Sequence, residues 1–227
     1  MQTATKRENR IAALDDNGAR LKASKPAKAV AKDRMVVAIP DLEIRQLSVR
    51  VKGTSSLIMQ AMSAKTRDSL DQRAQGGARQ KDEATTAKQK YEESLYRLDK
   101  PINGCKYYMP GGAFQSAAVN ACTSLGRAVT NMKEMLQAFY VVEEKVPIKG
   151  EPRFHSAVGR NKMKGACMIY RGEFEEWSAT FTVRFNARVV TPAQIFSLFN
   201  TAGFAVGVGG WRREKKGVHG MFEVVLG

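Results

Sequence analysis

The chain has 227 residues, enough for one domain with a substantial core and a small additional lobe. Lys and Arg number 37 against 22 Asp and Glu, a formal charge of +15 with a pI near 9.9, which predicts an anionic partner. The sequence has no apolar run of about 18 residues and no apolar signal-peptide core. We therefore expect a cytoplasmic protein that binds nucleic acid rather than a membrane.

The three cysteines, Cys105, Cys122 and Cys167, are odd in number and widely spaced, and they form no CxxC pair near a histidine. This pattern predicts neither disulfides nor a structural zinc site. We expect buried, reduced thiols, and nothing in the sequence calls for a metal or another cofactor.

Residues 1–34 contain no aromatic side chain and carry nine Lys or Arg against four acids. A segment of this composition lacks the apolar surface that a core requires, so we predict a flexible basic arm. The nucleic-acid-binding domain is expected to occupy residues 35–227.

The first half of this domain is predicted to hold one core strand and a helical insertion. Residues 42–53 alternate apolar and polar side chains, which indicates a strand, and residues 55–62 are expected to begin a helix or loop. Residues 63–100 are rich in both charges and form the predicted helical insertion, with a break at residues 75–78. Its second half has apolar residues at helical spacing, namely Ala87, Tyr91, Leu95 and Leu98.

The second half supplies the remaining core elements. Residues 106–109 predict a short strand that Pro110 and the two following glycines turn into a helix. Residues 135–142 fit either the end of a helix or a strand, and their aromatic and β-branched residues at 139–142 favour the strand. Residues 177–186 predict a further strand by clean alternation. Thr191 and Pro192 predict the start of another helix, which Gly203 ends, and a last strand follows at residues 221–225.

Taken together, these elements predict an α+β domain with a ferredoxin-like, RRM-like β-α-β-β-α-β core, a helical insertion and a flexible basic N-terminal arm. Between the second and third core strands, residues 150–173 are predicted to form a basic, thumb-like loop. The stretch between Glu151 and Glu173 has five cations and no acid. Such a one-sided segment is expected to face an anion.

A glycine-rich segment, residues 207–220, gives the strongest functional signal. Glycines allow backbone N–H groups to approach phosphates, and four cations lie among them, at Arg212, Arg213, Lys215 and Lys216. The segment is neither a Walker loop nor a dinucleotide fingerprint, because it lacks Gly-Lys-Ser/Thr and precedes the last strand. Trp211 is the best candidate for stacking on a base.

A second candidate phosphate site lies where residues 108–110 end in Gly111 and Gly112, just before a helix. The free N–H groups and partial positive charge of a helix N-terminus suit a phosphate.

These two motifs resemble the RAMP superfamily of CRISPR effector subunits, most of all its repeated backbone subunit. Pro110-Gly111-Gly112 resembles the family's Pro-Gly-Ser-Ser turn, and residues 207–220 resemble its C-terminal glycine-rich loop, within a match over about residues 42–225. The resemblance implies a modified ferredoxin-like domain, stacked copies that grip guide RNA, and other effector-complex subunits as partners. It also implies that residues 65–100 and 153–171 correspond to the helical lobe and the thumb. The glycines that it places along the RNA path are Gly111, Gly112, Gly207, Gly209, Gly210, Gly217 and Gly220.

The family turn continues with a Lys and then an Arg, whereas this chain has Gln115 and Ala118. A phage or mobile-element relative that binds or anneals single-stranded DNA therefore stays open beside the RNA-binding interpretation.

Catalysis is the minority interpretation. His155 and His219 lie in the basic segments, and either could serve a metal-independent endoribonuclease as its general acid or base, but neither has an evident partner in the sequence. Glu173, Glu175 and Glu176 are interpreted as a solvated strand edge. A basic assembly protein that neutralises a partner protein is a further alternative.

We therefore predict a protein that binds single-stranded nucleic acid, most of all RNA, through its phosphates in stacked copies and without catalysis. The residues expected to contact nucleic acid are Gly111, Gly112, Gln115, Arg153, Arg160, Lys162, Lys164, Arg171, Gly207, Gly209, Gly210, Trp211, Arg212, Arg213, Lys215, Lys216 and His219.

Overall fold

The computed structural model describes residues 41–76, 85–125, 132–160 and 165–225. These residues all belong to one compact unit, Asp41–Gly227. The predicted basic arm, residues 1–34, lies outside the described residues, as do Lys162 and Lys164.

Helices and strands are mixed along the described chain. The strands, in chain order, are β1 (Ile44–Gly53), β2 (Leu57–Met59), β3 (Arg97–Ile102), β4 (Cys105–Pro110), β5 (Phe139–Val141), β6 (Lys145–Lys149), β7 (Pro152–Arg160), β8 (Ala166–Phe174), β9 (Ser178–Asn186) and β10 (Phe222–Val224). The helices are α1 (Ala64–Ala74), α2 (Ala87–Glu93), α3 (Gly111–Leu125), α4 (Met132–Ala138) and α5 (Pro192–Ala205), with a 3₁₀ turn at Arg213–Lys215. The predicted α+β class is confirmed.

The strands form two sheets. The larger sheet runs in the order β10-β1-β9-β6-β4-β3, and β5 pairs with β9 beside β6. Its strand pairs are antiparallel. The smaller sheet has the order β2-β8-β7.

The core lies between the larger sheet and helices α3 and α5. Alternation along β1 and β9 directs Val49, Val51 and Phe181 to this side, and all three are buried. Phe181 contacts Phe114 of α3 at a ring-centroid distance of 4.7 Å and Phe199 of α5 at 5.2 Å. Burying each such ring contributes about 1.5–3 kcal/mol, so this aromatic group anchors both helices to the sheet.

The strands predicted from alternation are confirmed as β1 and β9, the short strand at residues 106–109 is confirmed as β4, and the last predicted strand is confirmed as β10. The helix predicted from Thr191 is confirmed as α5. Thr191 and Gln194 form a capping box, in which each side chain accepts a hydrogen bond from the other residue's backbone N–H, at 3.3 and 2.9 Å.

Gly203 does not end α5, which continues to Ala205. A Cβ atom on Gly203 would lie 1.9 Å from the carbonyl oxygen of Phe222. The glycine therefore allows α5 to approach β10 closely, and the prediction that it stops the helix is wrong.

The thumb-like loop predicted at residues 150–173 is instead a β-hairpin. Strands β7 and β8 pair in register from Pro152 opposite Phe174 to Arg160 opposite Ala166. Phe154 and Val158 are exposed on the hairpin, whereas Phe174 at the end of β8 is buried in the core. The hairpin cations and the lack of an alternating apolar pattern along both strands concealed the hairpin in the sequence.

Three other boundaries differ from the predictions. Residues 57–59 form the short buried strand β2 rather than the start of a helix, and residues 132–138 form α4, which leaves only Phe139–Val141 as a strand. The helical insertion holds α1 and α2, but α2 ends at Glu93, and Leu98 lies on β3. The predicted break is confirmed, since α1 ends at Ala74.

None of the helices in the described residues is long and apolar enough to cross a membrane. The three cysteines are free thiols; Cys122 is buried as predicted, whereas Cys105 and Cys167 are partly exposed.

Candidate nucleic-acid interface

The glycine-rich segment, residues 207–220, connects α5 to β10 and lies along the free edge of β2. The N–H of Gly210 donates to the carbonyl oxygen of Ile58 at 2.8 Å, and the N–H of Gly220 donates to that of Ser56 at 2.7 Å. Within the segment, the N–H of Val208 donates to the Gly220 carbonyl at 2.9 Å. These bonds fix the backbone of the segment against the smaller sheet.

Glycine is required in this segment for its own folding. Gly220 has a φ of +69°, and a Cβ there would lie 1.8 Å from the Val208 carbonyl oxygen. A Cβ on Gly217 would lie 1.6 Å from the carbonyl oxygen of Trp211. Among the glycines of the segment, Gly207, Gly210, Gly217 and Gly220 donate their backbone N–H groups to carbonyl oxygens of the protein. These four N–H groups are therefore not open to phosphates.

The cations of the segment fall into two groups. Arg212 is paired with Glu214, at 2.6 Å between Nη2 and Oε2 and 2.9 Å between Nε and Oε2. Arg213, Lys215 and Lys216 are exposed, and the guanidinium of Arg213 lies 4.8 Å from the ring centroid of Phe204. The positive charge that this segment presents to solvent comes mainly from those three residues.

A cluster of side chains joins the glycine-rich segment to the hairpin, and we call it the histidine–glutamate cluster: Ser56, His155, Glu173, Trp211 and His219. His155 Nδ1 lies 2.8 Å from Glu173 Oε2, and His219 Nδ1 lies 2.8 Å from Ser56 Oγ and 3.9 Å from Glu173 Oε1. Both histidines therefore have partners that were not evident in the sequence. Glu173, predicted as part of a solvated edge, has a side chain only 21% exposed.

The environment of Glu173 favours its ionised form. Burial raises the pKa of the Glu173 carboxyl. Hydrogen bonds from Ser56 and His155 and the charges of His155 and His219 together lower this pKa by more, so it lies below its usual value. The carboxylate thus holds the two imidazoles beside each other, with ring centroids 6.1 Å apart. His155 Nε2 is buried without a hydrogen-bond partner.

Trp211, the predicted base-stacking residue, is part of this cluster. Its ring centroid lies 5.7 Å from that of His155 and 6.2 Å from that of His219. The residue is partly exposed, and its φ of +47° belongs to the left-handed region. Sequence spacing gave no sign of this grouping, because the partners of Trp211 come from the hairpin and from the far end of the glycine-rich segment.

The N-terminus of α3 has a different role from the one predicted for most of its residues. The N–H of Gly111 donates to the Glu144 carbonyl at 2.8 Å, and a Cβ at Gly111 would lie 1.9 Å from the Glu143 carbonyl oxygen. The Gln115 amide binds the backbone of β5 through both its Nε2 and its Oε1. Of the three predicted residues, only Gly112 is exposed. The hydrogen bonds of Gly111 and Gln115 lead to the region of β5 and β6, and not to the glycine-rich segment.

The hairpin cations are also dispersed. Arg153 is exposed and pairs with Glu175 at 2.6 Å, whereas Arg171 is half-buried and burial lowers its pKa. Arg160 ends β7, and its side chain lies outside the described residues.

No protein-family model and no curated protein matches this chain. Solved structures do. The crystal structure of Cmr6 from Pyrococcus furiosus matches with a TM-score of 0.39 and 10% identity, over 82% of this chain and 100% of that chain. The cryo-EM structure of the Type III-B Cmr-beta bound to cognate target RNA matches with a TM-score of 0.40 and 10% identity, over 80% of this chain and 60% of that chain.

Because both TM-scores are below 0.5, the resemblance that the two glycine motifs indicate stays a prediction.

The arrangement itself sets the chemistry that the site can perform. Exposed cations on a fixed backbone can bind phosphates, and a half-exposed indole beside them can contact a base. The two imidazoles and the carboxylate can exchange protons. No group of three or more His, Cys, Asp or Glu side chains suited to a metal ion occurs among the residues that the structure describes.

Proposed function

We propose that this protein binds single-stranded nucleic acid, RNA in the first place, through the phosphate backbone and without cleaving it. The observation that carries the proposal is the exposure of Arg213, Lys215 and Lys216 on a segment whose backbone is fixed by internal hydrogen bonds. Cations on a fixed backbone lose less conformational entropy on binding than cations on a mobile loop. The chain's formal charge of +15 supports a polyanionic ligand such as nucleic acid.

The proposal includes a ferredoxin-like core. The elements β1, α3, β5, β9, α5 and β10 follow each other in the β-α-β-β-α-β order, with further elements inserted between them. Their strands lie in the order β10-β1-β9-β5 with antiparallel pairing, and α3 packs beside α5. This order supports the same architecture that RNA-recognition domains use.

The proposal also includes stacked copies of the chain along one strand, with other effector-complex subunits as partners, in the cytoplasm. Phosphate contacts at regular spacing suit a repeated subunit that has weak sequence preference. Free thiols at Cys105, Cys122 and Cys167 are in keeping with a reducing compartment.

The test is to purify the full chain without nuclease, measure its mass and absorbance ratio, and digest any bound polymer with RNase or DNase. We expect nucleic acid of defined length that only RNase removes, in particles heavier than a monomer. A polymer that only DNase removes would replace RNA by single-stranded DNA, as in the phage-type alternative. A monomer free of nucleic acid that also fails to shift labelled RNA or DNA would contradict the proposal.

The histidine–glutamate cluster favours a second candidate, a metal-independent endoribonuclease. In this candidate the imidazole of His219 accepts the proton of a ribose 2′-hydroxyl, whose oxygen attacks phosphorus, and solvent water protonates the leaving 5′-oxygen. The supporting observation is that Ser56 and Glu173 lie 2.8 and 3.9 Å from His219 Nδ1 and orient this ring. Labelled RNA incubated with the protein in EDTA would yield 2′,3′-cyclic phosphate ends, and His219→Ala would abolish them. Intact RNA in the wild-type reaction rules this candidate out.

A further inference from the structure

The larger sheet has a second face, on the side away from α3 and α5. Along β1, Val49 and Val51 point to the helices and are buried, so Arg50 and Lys52 point to the opposite side, where both are exposed. Along β9, the same alternation places Arg184 on that side. We call this surface the open sheet face.

The open sheet face is predominantly basic. Its exposed cations come from four neighbouring strands: Arg50 and Lys52 of β1, Arg184 of β9, Lys145 and Lys149 of β6, and Lys106 of β4. Three carboxylates lie among or beside them: Glu223 is opposite Lys52 in the β1–β10 register, Asp99 is 3.6 Å from Lys145, and Glu143 accepts the N–H of Thr182. The cations outnumber these acids two to one, so the face attracts anions.

Tyrosine rings lie among the cations. Tyr140 of β5 is 49% exposed and stands opposite Arg184, whose guanidinium is 5.9 Å from the ring centroid. Tyr108 of β4 has Lys145 Nζ at 5.3 Å from its ring centroid and the ring of Tyr96 at 5.4 Å. A cleft of about 460 Å³ opens beside Tyr108 and Lys145. Hydroxyl groups fill the positions between the cations on β1 and β9, at Ser48, Ser178, Thr180 and Thr182.

This combination identifies the class of ligand. Phosphates pair with cations, bases stack on tyrosine rings, and sugar hydroxyls pair with serine and threonine. From β10 to β4 the face is roughly 20 Å wide at the usual spacing between strands. An oligonucleotide of several residues fits across it, whereas a plain polyanion would make no use of the tyrosines.

We propose that the open sheet face binds a stretch of single-stranded nucleic acid, separate from the stretch held by the glycine-rich segment. The two surfaces share no residue. Two occupants from this chain itself are disfavoured by charge, because residues 1–34 carry nine cations against four acids and a second copy brings another +15. The inference extends the proposed function but rests on different residues, so each can fail alone.

The first test compares two triple variants of the full chain, both of which remove three exposed cations. The test variant is Arg50→Ala/Lys52→Ala/Arg184→Ala, and the control is Lys88→Ala/Lys90→Ala/Arg188→Ala. Binding of a fluorescein-labelled single-stranded RNA is measured by anisotropy at several NaCl concentrations. We expect the test variant to weaken binding about 10- to 50-fold at physiological salt and to lower the salt slope by about 2. Equal affinities of the two variants would overturn the inference.

The second test distinguishes nucleic acid from any polyanion, with Tyr140→Leu. Loss of base stacking is expected to weaken RNA binding roughly fivefold or more and to leave heparin binding unchanged, because heparin has no bases. An equal loss for both ligands, or for neither, would contradict a stacking role for the face.

The third readout separates this inference from the proposed function. Ultraviolet cross-linking of wild-type protein to RNA, followed by peptide mapping, is expected to mark both the tryptic peptide that contains Tyr140 and peptides of residues 207–220. Cross-links confined to residues 207–220 would overturn the inference and leave the proposed function standing. Cross-links confined to the Tyr140 peptide would do the reverse.

Discussion

At the scale of single residues, the glycines of residues 207–220 differ sharply from Gly112, although the sequence motifs gave them the same role. Gly220 combines a positive φ with a Cβ position 1.8 Å from a carbonyl oxygen, whereas nothing lies within 4 Å of a Cβ on Gly112. Gly220 is therefore required by the conformation and packing of the backbone, whereas the backbone makes no such demand at Gly112.

This difference predicts opposite effects on stability. Gly220→Ala is expected to lower the free energy of unfolding by about 2–4 kcal/mol, because the backbone must leave its left-handed conformation and the Val208 carbonyl must move. Gly112→Ala, the matched control in the first turn of α3, is expected to be neutral or to stabilise by up to about 1 kcal/mol. Chemical denaturation of the two variants measures both values. A Gly220→Ala variant as stable as Gly112→Ala would refute the tight packing of the segment.

At the scale of elements, the glycine-rich segment carries its own counterion. Glu214 binds Arg212 from one side and accepts a hydrogen bond from Asn120 of α3 at 3.3 Å. The segment therefore presents three exposed cations, Arg213, Lys215 and Lys216, rather than the four that its sequence suggests. The proposed affinity of the segment for phosphates depends on whether Arg212 is paired with Glu214.

Two variants of this segment are expected to move affinity in opposite directions. Arg213→Ala/Lys215→Ala/Lys216→Ala should weaken binding of single-stranded RNA and lower the salt slope by about 2. Glu214→Gln should strengthen binding, because it releases Arg212 and keeps a partner for Asn120. Anisotropy titrations over a range of salt concentrations, with Lys88→Ala/Lys90→Ala/Arg188→Ala as the control, measure both effects. A folded triple variant with wild-type affinity would exclude the segment from the binding site.

The elements also show which parts of the fold the sequence could predict. Strands β1 and β9 alternate cleanly because one side faces the helices, and Thr191 with Pro192 marks the start of α5 by local chemistry alone. The hairpin escaped prediction because Phe154 and Val158 are exposed and burial is concentrated at its end near Phe174, so no alternating apolar pattern runs along its strands. Strand β2 is buried on both sides and only three residues long, too short for any period to appear.

The candidate site was predictable only in part, for a related reason. The glycine-rich segment is local and was found from its composition. The histidine–glutamate cluster depends on the register between β7 and β8, which sets Arg153 opposite Glu173 and His155 opposite Arg171, and thus brings His155 diagonally next to Glu173. Because residues 150–173 were predicted to form a loop, no pairing register between two strands could be predicted for them. A hairpin prediction would have placed His155 and Glu173 on neighbouring positions and so indicated the cluster.

At the scale of the whole molecule, the described domain carries two basic surfaces on different elements. The glycine-rich segment belongs to the connection between α5 and β10, and the open sheet face belongs to the larger sheet. The two proposals together predict that the protein binds two stretches of nucleic acid at once. Two such surfaces are in keeping with a net charge of +15, which is larger than a single short contact needs.

The hydrogen bond between Ser56 and His219 spans 163 positions of the chain. On the edge of β2 next to Ser56, Ile58 pairs with Gly210 of the glycine-rich segment. The histidine–glutamate cluster likewise needs residues of this segment, such as His219. During synthesis, therefore, strands β1 to β9, which include the hairpin, leave the ribosome before this part of the candidate interface can form. A nascent chain has most of its positive charge well before it has this segment, so the proposed function predicts that nucleic acid is captured there only after residue 220 has left the ribosome.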